Sequence, residues 1–371
     1  MNPFSIDSAK ALEEISAFSS KLAEGARAVA GIGEVEVGCS AKDAVYAEDK
    51  LTLYRYRPLA PDSGLAPVLI CYALVNRPYM VDLQQDRSLV RGLLERGLDV
   101  YLIDWGYPDG ADRFLEIDDY VNGYLDRCVD QVRQAAGCKA INLIGICQGG
   151  TFSLCYTALH QEKVANLITM VTPVDFQTPE NLLSKWARDL DVDRMVDVMG
   201  NIPGELLNVT FLSLMPFRLT SQKYVALGDI IDDTRQLENF LRMEKWIFDS
   251  PDQAGAAFRQ FIKWMYQENR LVKGALELGG QPVDLTRVRC PVFNIYATQD
   301  HLVPPSASVP IEALVGSGDY SAFAFPGGHI GIYVSGRARQ VPQAIGDWLL
   351  AHREPGRPAR RRRKKAVGSE R

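Results

Sequence analysis

The chain contains no apolar run of the roughly 18–20 residues that a membrane-spanning helix needs. Its first residues, Met1 to Asp7, lack a basic stretch followed by an apolar one, so no secretory signal is expected and a cytoplasmic location is. Cysteine is sparse and scattered: Cys39, Cys71, Cys128, Cys138, Cys147, Cys155 and Cys290. An odd count without CxxC spacing argues against a disulfide framework and against a zinc site. Histidine is scarcer still, with only His160, His301, His329 and His352 in 371 residues. There is no internal repeat. Spanning proteins, secreted disulfide scaffolds, zinc modules and repeat arrays are thereby set aside.

What is present is an ordinary globular composition, 47% hydrophobic and 23% charged. The net charge of −5 is unevenly spread. Nine Lys/Arg stand against two acids after Leu350, which leaves a strongly acidic body, so no specific nucleic-acid binding is expected. The tail Arg360 to Lys365 reads as a solvated, disordered terminus. Its alternatives are docking to an acidic partner or non-specific contact with nucleic acid.

Six short apolar runs have strand length: 67–74, 99–105, 140–146, 166–173, 291–297 and 321–325. They are near-continuous rather than alternating, the mark of strands buried on both faces of a parallel sheet. Amphipathic helical stretches at 88–96, 117–136 and 150–160 separate the first four, which predicts an α/β doubly wound sheet. Residues 50–57 alternate in period two and suit an antiparallel edge strand. The rhythm breaks between Pro173 and Pro291, too long an interval for a loop. It reads as an inserted helical cap with Trp186, Phe211, Phe217, Phe240, Trp246, Phe248, Phe258, Phe261 and Trp264 on its apolar faces. These aromatics suit a water-excluding cover and the cap's own core equally well. The expected division is a helical arm at 1–40, a sheet core at 41–173 and 289–350, a cap at 174–288 and a basic tail at 351–371.

Cys147 ends the third run in Gly145-Ile146-Cys147-Gln148-Gly149-Gly150 and is followed by a helix. That is the pattern of a nucleophile elbow on an α/β-hydrolase fold, where small neighbours are needed because the nucleophile sits in a strained turn. The helix N-terminus would lower a thiol pKa and offer the Gln148 backbone N–H to an oxyanion. A buried structural cysteine beside a Gly-rich turn would look the same on this motif alone. The scaffold, however, demands an acid and then a histidine, each just past a later strand. Asp300 follows the run at 291–297, and His329 follows the run at 321–325, flanked by glycines. The other three histidines lie in a helix, beside the acid or in the tail. The second oxyanion N–H is expected in the loop after the first run, from Val75 or its neighbour Asn76. Asp104-Trp105-Gly106 is expected to order the floor of the site rather than to react.

A cysteine that attacks a thioester gives another thioester at almost no net free energy, so the acyl group stays activated for a hydroxyl acceptor. That favours acyl transfer from a CoA-type thioester with His329 as base.

Tyr72 to Met80, Tyr101 to Pro108, Gly145 to Gly150, Asn201 to Glu205 and Phe325 to Gly331 together resemble the class III polyhydroxyalkanoate synthases, PhaC subunit. The resemblance runs from about Ser40 to Trp348. It implies polymerisation of (R)-3-hydroxyacyl-CoA, chiefly 3-hydroxybutyryl-CoA, into polyester with release of CoA. It also implies the set Cys147, Asp300 and His329, with Asp300 helping to activate the incoming 3-hydroxyl besides or instead of orienting His329. On that implication Asp300→Asn would slow elongation more than acylation. A homodimer, a PhaE-type partner subunit, residence on polyester granules and a mobile cap are further implications. The basic tail is outside the family pattern. No cofactor and no metal are expected, since the CoA thioester is substrate and CoA is product. Lys185, Arg188 and Lys245 are candidates for CoA phosphate contacts, no better than their neighbours. A thioesterase or depolymerase would use the same residues, and a non-catalytic granule protein would need none of them.

Overall fold

The computed structural model describes residues 32–215, 230 and 232–353. Most of the expected N-terminal arm, the basic stretch Arg360 to Lys365 and Phe217 lie outside the described residues.

The central sheet has eight strands. In chain order they are β1 (Lys42–Glu48), β2 (Leu51–Tyr56), β3 (Val68–Cys71), β4 (Val100–Asp104), β5 (Ile141–Ile146), β6 (Val164–Met170), then, after a two-stranded hairpin of β7 (Glu277–Leu278) and β8 (Gln281–Pro282), β9 (Val292–Ala297) and β10 (Tyr320–Phe325). The order across the sheet is β1-β2-β4-β3-β5-β6-β9-β10, antiparallel from β1 to β4 and parallel from there on. Side chains alternate between two core layers as the pleat requires. Leu69, Tyr101, Leu143 and Leu167 face one layer, while Ile70, Leu102, Ile144 and Ile168 face the other. Every residue of β3, β4 and β5 is buried, which explains why their sequences show no alternation.

One expectation is corrected at the sheet's margin. The strand read at 50–57 is antiparallel but not the edge, because β1 lies outside it. β1 has no fully buried residue, so it carries none of the apolar signal by which its neighbours were read.

Helices cover both faces. α1 (Leu89–Leu94) starts at Ser88, whose side chain accepts the Arg91 N–H. The helix read at 117–136 is in two parts, a π-helical turn at Asp119–Leu125 and then α2 (Asp126–Ala136). α3 (Gln148–Leu159) follows β5 directly and is buried on all sides. Between β6 and β7 run α4 (Leu182–Ala187), α5 (Val192–Met199), α6 (Gly204–Ser213), α7 (Thr234–Phe248), α8 (Gly255–Gln260) and a second π-helical stretch, Phe261–Gln267. After β10 come α9 (Gly331–Val334) and α10 (Gln340–Ala351).

The aromatics of the inserted interval divide by position. Trp246 and Phe261 are buried, Phe211, Phe240, Phe258 and Trp264 are half-buried, and Trp186 and Phe248 are exposed. Phe261 meets Phe152 of α3 and Phe176 edge-on, so it belongs to the core beneath the sheet's end. No helix among the described residues is long and apolar enough to cross a membrane.

Candidate active site

The carboxyl ends of β3, β5, β9 and β10 converge on one place, beside the point where the chain order reverses across β3 and β5. Open α/β sheets bind ligands at such a point.

Cys147 lies between β5 and α3 with φ +53° and ψ −123°, a region that L-residues rarely occupy. Its N–H is held by the Met170 carbonyl at 2.9 Å, and its own carbonyl accepts the Gly150 N–H at 2.9 Å. The turn closes only because its neighbours lack side chains. A Cβ on Gly149 would lie 2.3 Å from the Cys71 carbonyl oxygen, and one on Gly150 would lie 1.8 Å from Thr172 Oγ1. Val171, at the end of β6, also has positive φ (+45°), an outlier for a β-branched residue that nothing in the sequence announced.

Asp300 and His329 follow β9 and β10. His329 Nδ1 lies 2.7 Å from Asp300 Oδ2. Asp300 Oδ1 accepts the backbone N–H groups of Leu302 (2.8 Å) and Val303 (2.9 Å). The Asp300 side chain has no exposed surface and that of His329 only 9%. Burial disfavours the imidazolium, but the Asp300 charge, the Cys147 sulfur and hydrogen bonds to both outweigh it and hold the His329 pKa well above the ordinary histidine value. Cys147, Asp300 and His329, far apart in sequence, are therefore one interacting set. Cys71 and Cys155 are fully buried and inert by position, with burial pushing both thiols up to about 12.

Gln148 opens α3, so its N–H belongs to the first turn, which no intrahelical acceptor serves. Its side chain reaches across to the loop after β3, where Oε1 accepts the Leu74 N–H at 3.1 Å. Val75 comes next in that loop, and Asn76 follows with φ +59°. Both expected oxyanion donors thus lie on adjoining segments tied by one hydrogen bond.

The sequence did not reveal how the loop is held from above. Gln253 Nε2 donates to the Leu74 carbonyl (3.0 Å), Asn76 Nδ2 to Ser250 Oγ (2.6 Å), and Trp246 Nε1 to the Arg77 carbonyl (2.8 Å). Ser250 in turn donates to the buried Asn208 (2.8 Å). Tyr79 and Tyr107 both donate to Asp249, at 3.0 and 2.6 Å. The Asn201 to Glu205 motif buttresses this segment: Ile202 and Gln253 exchange backbone hydrogen bonds of 2.9 and 2.8 Å, and the Gly204 N–H binds Asp252. A Cβ on Gly204 would meet the Ser250 carbonyl oxygen at 2.0 Å. The motif was visible, but its partners at 246–253 carry no local signal.

Asp104, which ends β4, is buried. It accepts from Arg77 at 2.7 Å, and Trp105 Nε1 donates to the Tyr72 carbonyl at 2.9 Å. Lys245 pairs with Glu34 at 2.9 Å, so its ammonium already has a partner. Among the described residues no group of three or more His, Cys, Asp or Glu is arranged to hold a metal ion.

Comparison with known proteins narrows the chemistry. The α/β hydrolase fold family model matches residues 66–335. Among solved structures, BpoC from Mycobacterium tuberculosis (TM-score 0.52, 14% identity, 84% of this chain and all of that one) is similar. So is a hydrolase from Pseudomonas aeruginosa (TM-score 0.51, 13% identity, 85% and 98%); both speak to the fold alone. Among curated proteins, the poly(3-hydroxyalkanoate) polymerase subunit PhaC of Allochromatium vinosum is 61% identical across 94% of this chain and 99% of its own length. Those of Thiocystis violacea (57%; 94% and 99%) and Synechocystis sp. (52%; 91% and 92%) are also similar. With identities of this size over nearly whole lengths, the chain belongs to the PhaC subunit family of poly(3-hydroxyalkanoate) polymerases, on an α/β-hydrolase scaffold.

Proposed function

We propose that this chain polymerises (R)-3-hydroxyacyl-CoA, chiefly 3-hydroxybutyryl-CoA, through a thioester on Cys147. The observation that carries the reading is the set itself: a strained elbow cysteine coupled to a histidine whose far nitrogen is fixed by a buried carboxylate, in a chain of polymerase ancestry.

In the first step His329 Nε2 takes the Cys147 proton, and Sγ attacks the thioester carbonyl. The oxyanion is held by the Gln148 and Val75 backbone N–H groups. The intermediate collapses with loss of CoA, whose sulfur recovers the proton from His329. In the second step a 3-hydroxyl gives its proton to His329 and attacks the acyl-cysteine carbonyl. An ester bond forms, the C–S bond breaks, and Cys147 is reprotonated. No cofactor enters either step.

Asp300 is read as a positioning residue in both steps. Its two oxygens already serve His329 and two backbone donors, and its side chain has no exposed surface, so a substrate hydroxyl has little access to it. This supports orientation of His329 over direct activation of the 3-hydroxyl, and it revises the expected effect of Asp300→Asn given above.

We further infer a homodimer, a PhaE-type partner subunit and residence on cytoplasmic polyester granules, supported by family membership. The test is incubation of purified protein with 3-hydroxybutyryl-CoA, with and without the partner subunit, while thiol release and polymer mass are both followed. The two should rise together, faster with the partner. Free 3-hydroxy acid as sole product would establish the thioesterase or depolymerase reading instead.

A further inference from the structure

Tyr333 lies on α9, one turn after His329, and only 4% of its surface is exposed. Its hydroxyl is shielded from solvent and makes no hydrogen bond to any described protein atom. A buried hydroxyl without a partner weakens the fold, and phenylalanine would fill the same space without that cost. Packing alone therefore gives no reason for a tyrosine here.

The surroundings of Tyr333 give one. The ring belongs to the core layer that also holds Tyr72, Ala73 and Val171, and Cys147 and Ile330 pack against that layer. Burial, and then the neighbouring Tyr72, Cys147 and Asp300, push its pKa well up, so the phenol stays a neutral O–H donor. Tyr333 thus lies in the wall that carries the base, one turn beyond His329, and shares a core layer with the nucleophile. The proposed oxyanion donors come from different elements, the start of α3 and the loop after β3. A 3-hydroxyl that hands its proton to His329 must reach the acyl-cysteine along this same wall. Asp300 is also on the wall, but its oxygens are engaged, whereas the Tyr333 hydroxyl is not.

We propose that the Tyr333 hydroxyl binds the oxygen of the attacking 3-hydroxyl, donating to the lone pair used neither for attack nor for proton transfer. This rests on the polymerase reading above. The donated bond costs the nucleophile some basicity and gains orientation toward both the carbonyl and His329. It also makes the site selective for hydroxyl acceptors over acceptors of other kinds.

The experiment loads Cys147 with a butyryl group from butyryl-CoA, which carries no hydroxyl of its own. The acyl-enzyme is then discharged either to methyl (R)-3-hydroxybutyrate or back to CoA. In Tyr333→Phe the ratio of hydroxyl to thiol discharge should fall about tenfold, the worth of one uncharged hydrogen bond. The melting temperature should stay level or rise, because no protein hydrogen bond is lost. An unchanged ratio would overturn the proposal and make the hydroxyl a packing accident. An equal fall in both discharges would overturn it too, by assigning Tyr333 to the oxyanion or to general structure. Wild-type protein that fails to load, or a Cys147→Ala variant that loads equally well, would instead bring down the polymerase reading, and this inference with it.

Discussion

Asp300→Asn tests the reading of the triad most sharply, because the structure dictates what the amide must do. Three hydrogen bonds converge on the two carboxylate oxygens, at 2.7 Å from His329 Nδ1 and at 2.8 and 2.9 Å from the Leu302 and Val303 N–H groups. An asparagine offers one oxygen. Kept on the two backbone donors, it satisfies two of the three bonds and turns its NH2 toward Nδ1. Two donors cannot face each other, so His329 must move its proton to Nε2, the nitrogen that has to receive one from Cys147. The wrong tautomer in a comparable serine triad lowers turnover on the order of 10⁴-fold, and a loss of that order is expected here. Because His329 is base in both proposed steps, acylation and elongation should fall together. The assay is rapid-quench measurement of the first CoA released, alongside polymer formed at later times. Acylation within about tenfold of wild type, with elongation abolished, would refute the orienting role and place Asp300 directly on the 3-hydroxyl.

Two further outcomes follow from the site. Asn76→Ala removes the 2.6 Å bond to Ser250 and loosens the loop that carries Val75; kcat should fall about 10- to 100-fold, less than for outright loss of an oxyanion donor, while KM for 3-hydroxybutyryl-CoA changes little. A matching rise in KM would show that the loop binds substrate rather than shapes the transition state. The pH dependence has a definite sign. The His329 pKa is raised in the folded state, so its pairing stabilises the fold fully below the unfolded value of about 6.5 and is lost as pH rises through the raised value. The melting-temperature advantage of wild type over His329→Gln should therefore shrink as pH increases above about 6.5, and a growing advantage would contradict the ion-pair account.

Much of this was legible in the chain, for physical reasons. Strands buried on both faces must be apolar throughout, and so β3, β4, β5, β6 and β9 stand out; β10, read in the same way, is the sheet's edge and buries only Phe325. The elbow's glycines are forced by contacts near 2 Å, which leaves the Cys147 motif unmistakable. Acid and base were found by order along the chain, since the scaffold fixes which strand ends face the elbow. What escaped is what depends on distant partners. β1 is held by pairing to β2 and has little core face to display. The π-helical turns differ from α-helix by a shift in hydrogen bonding that side-chain periodicity does not record. The brace from Trp246, Ser250 and Gln253 lies more than 160 residues from the loop it holds. Polar residues in such a stretch read as surface until their partners are placed.

The central claim is that the growing acyl group passes through Cys147. Intact-mass analysis after a single turnover with 3-hydroxybutyryl-CoA tests it directly. A mass gain of one 3-hydroxybutyryl unit, mapped to Cys147, lost on further elongation and missing in Cys147→Ala along with polymer, is the predicted result. Undiminished CoA release and polymer from Cys147→Ala would contradict it.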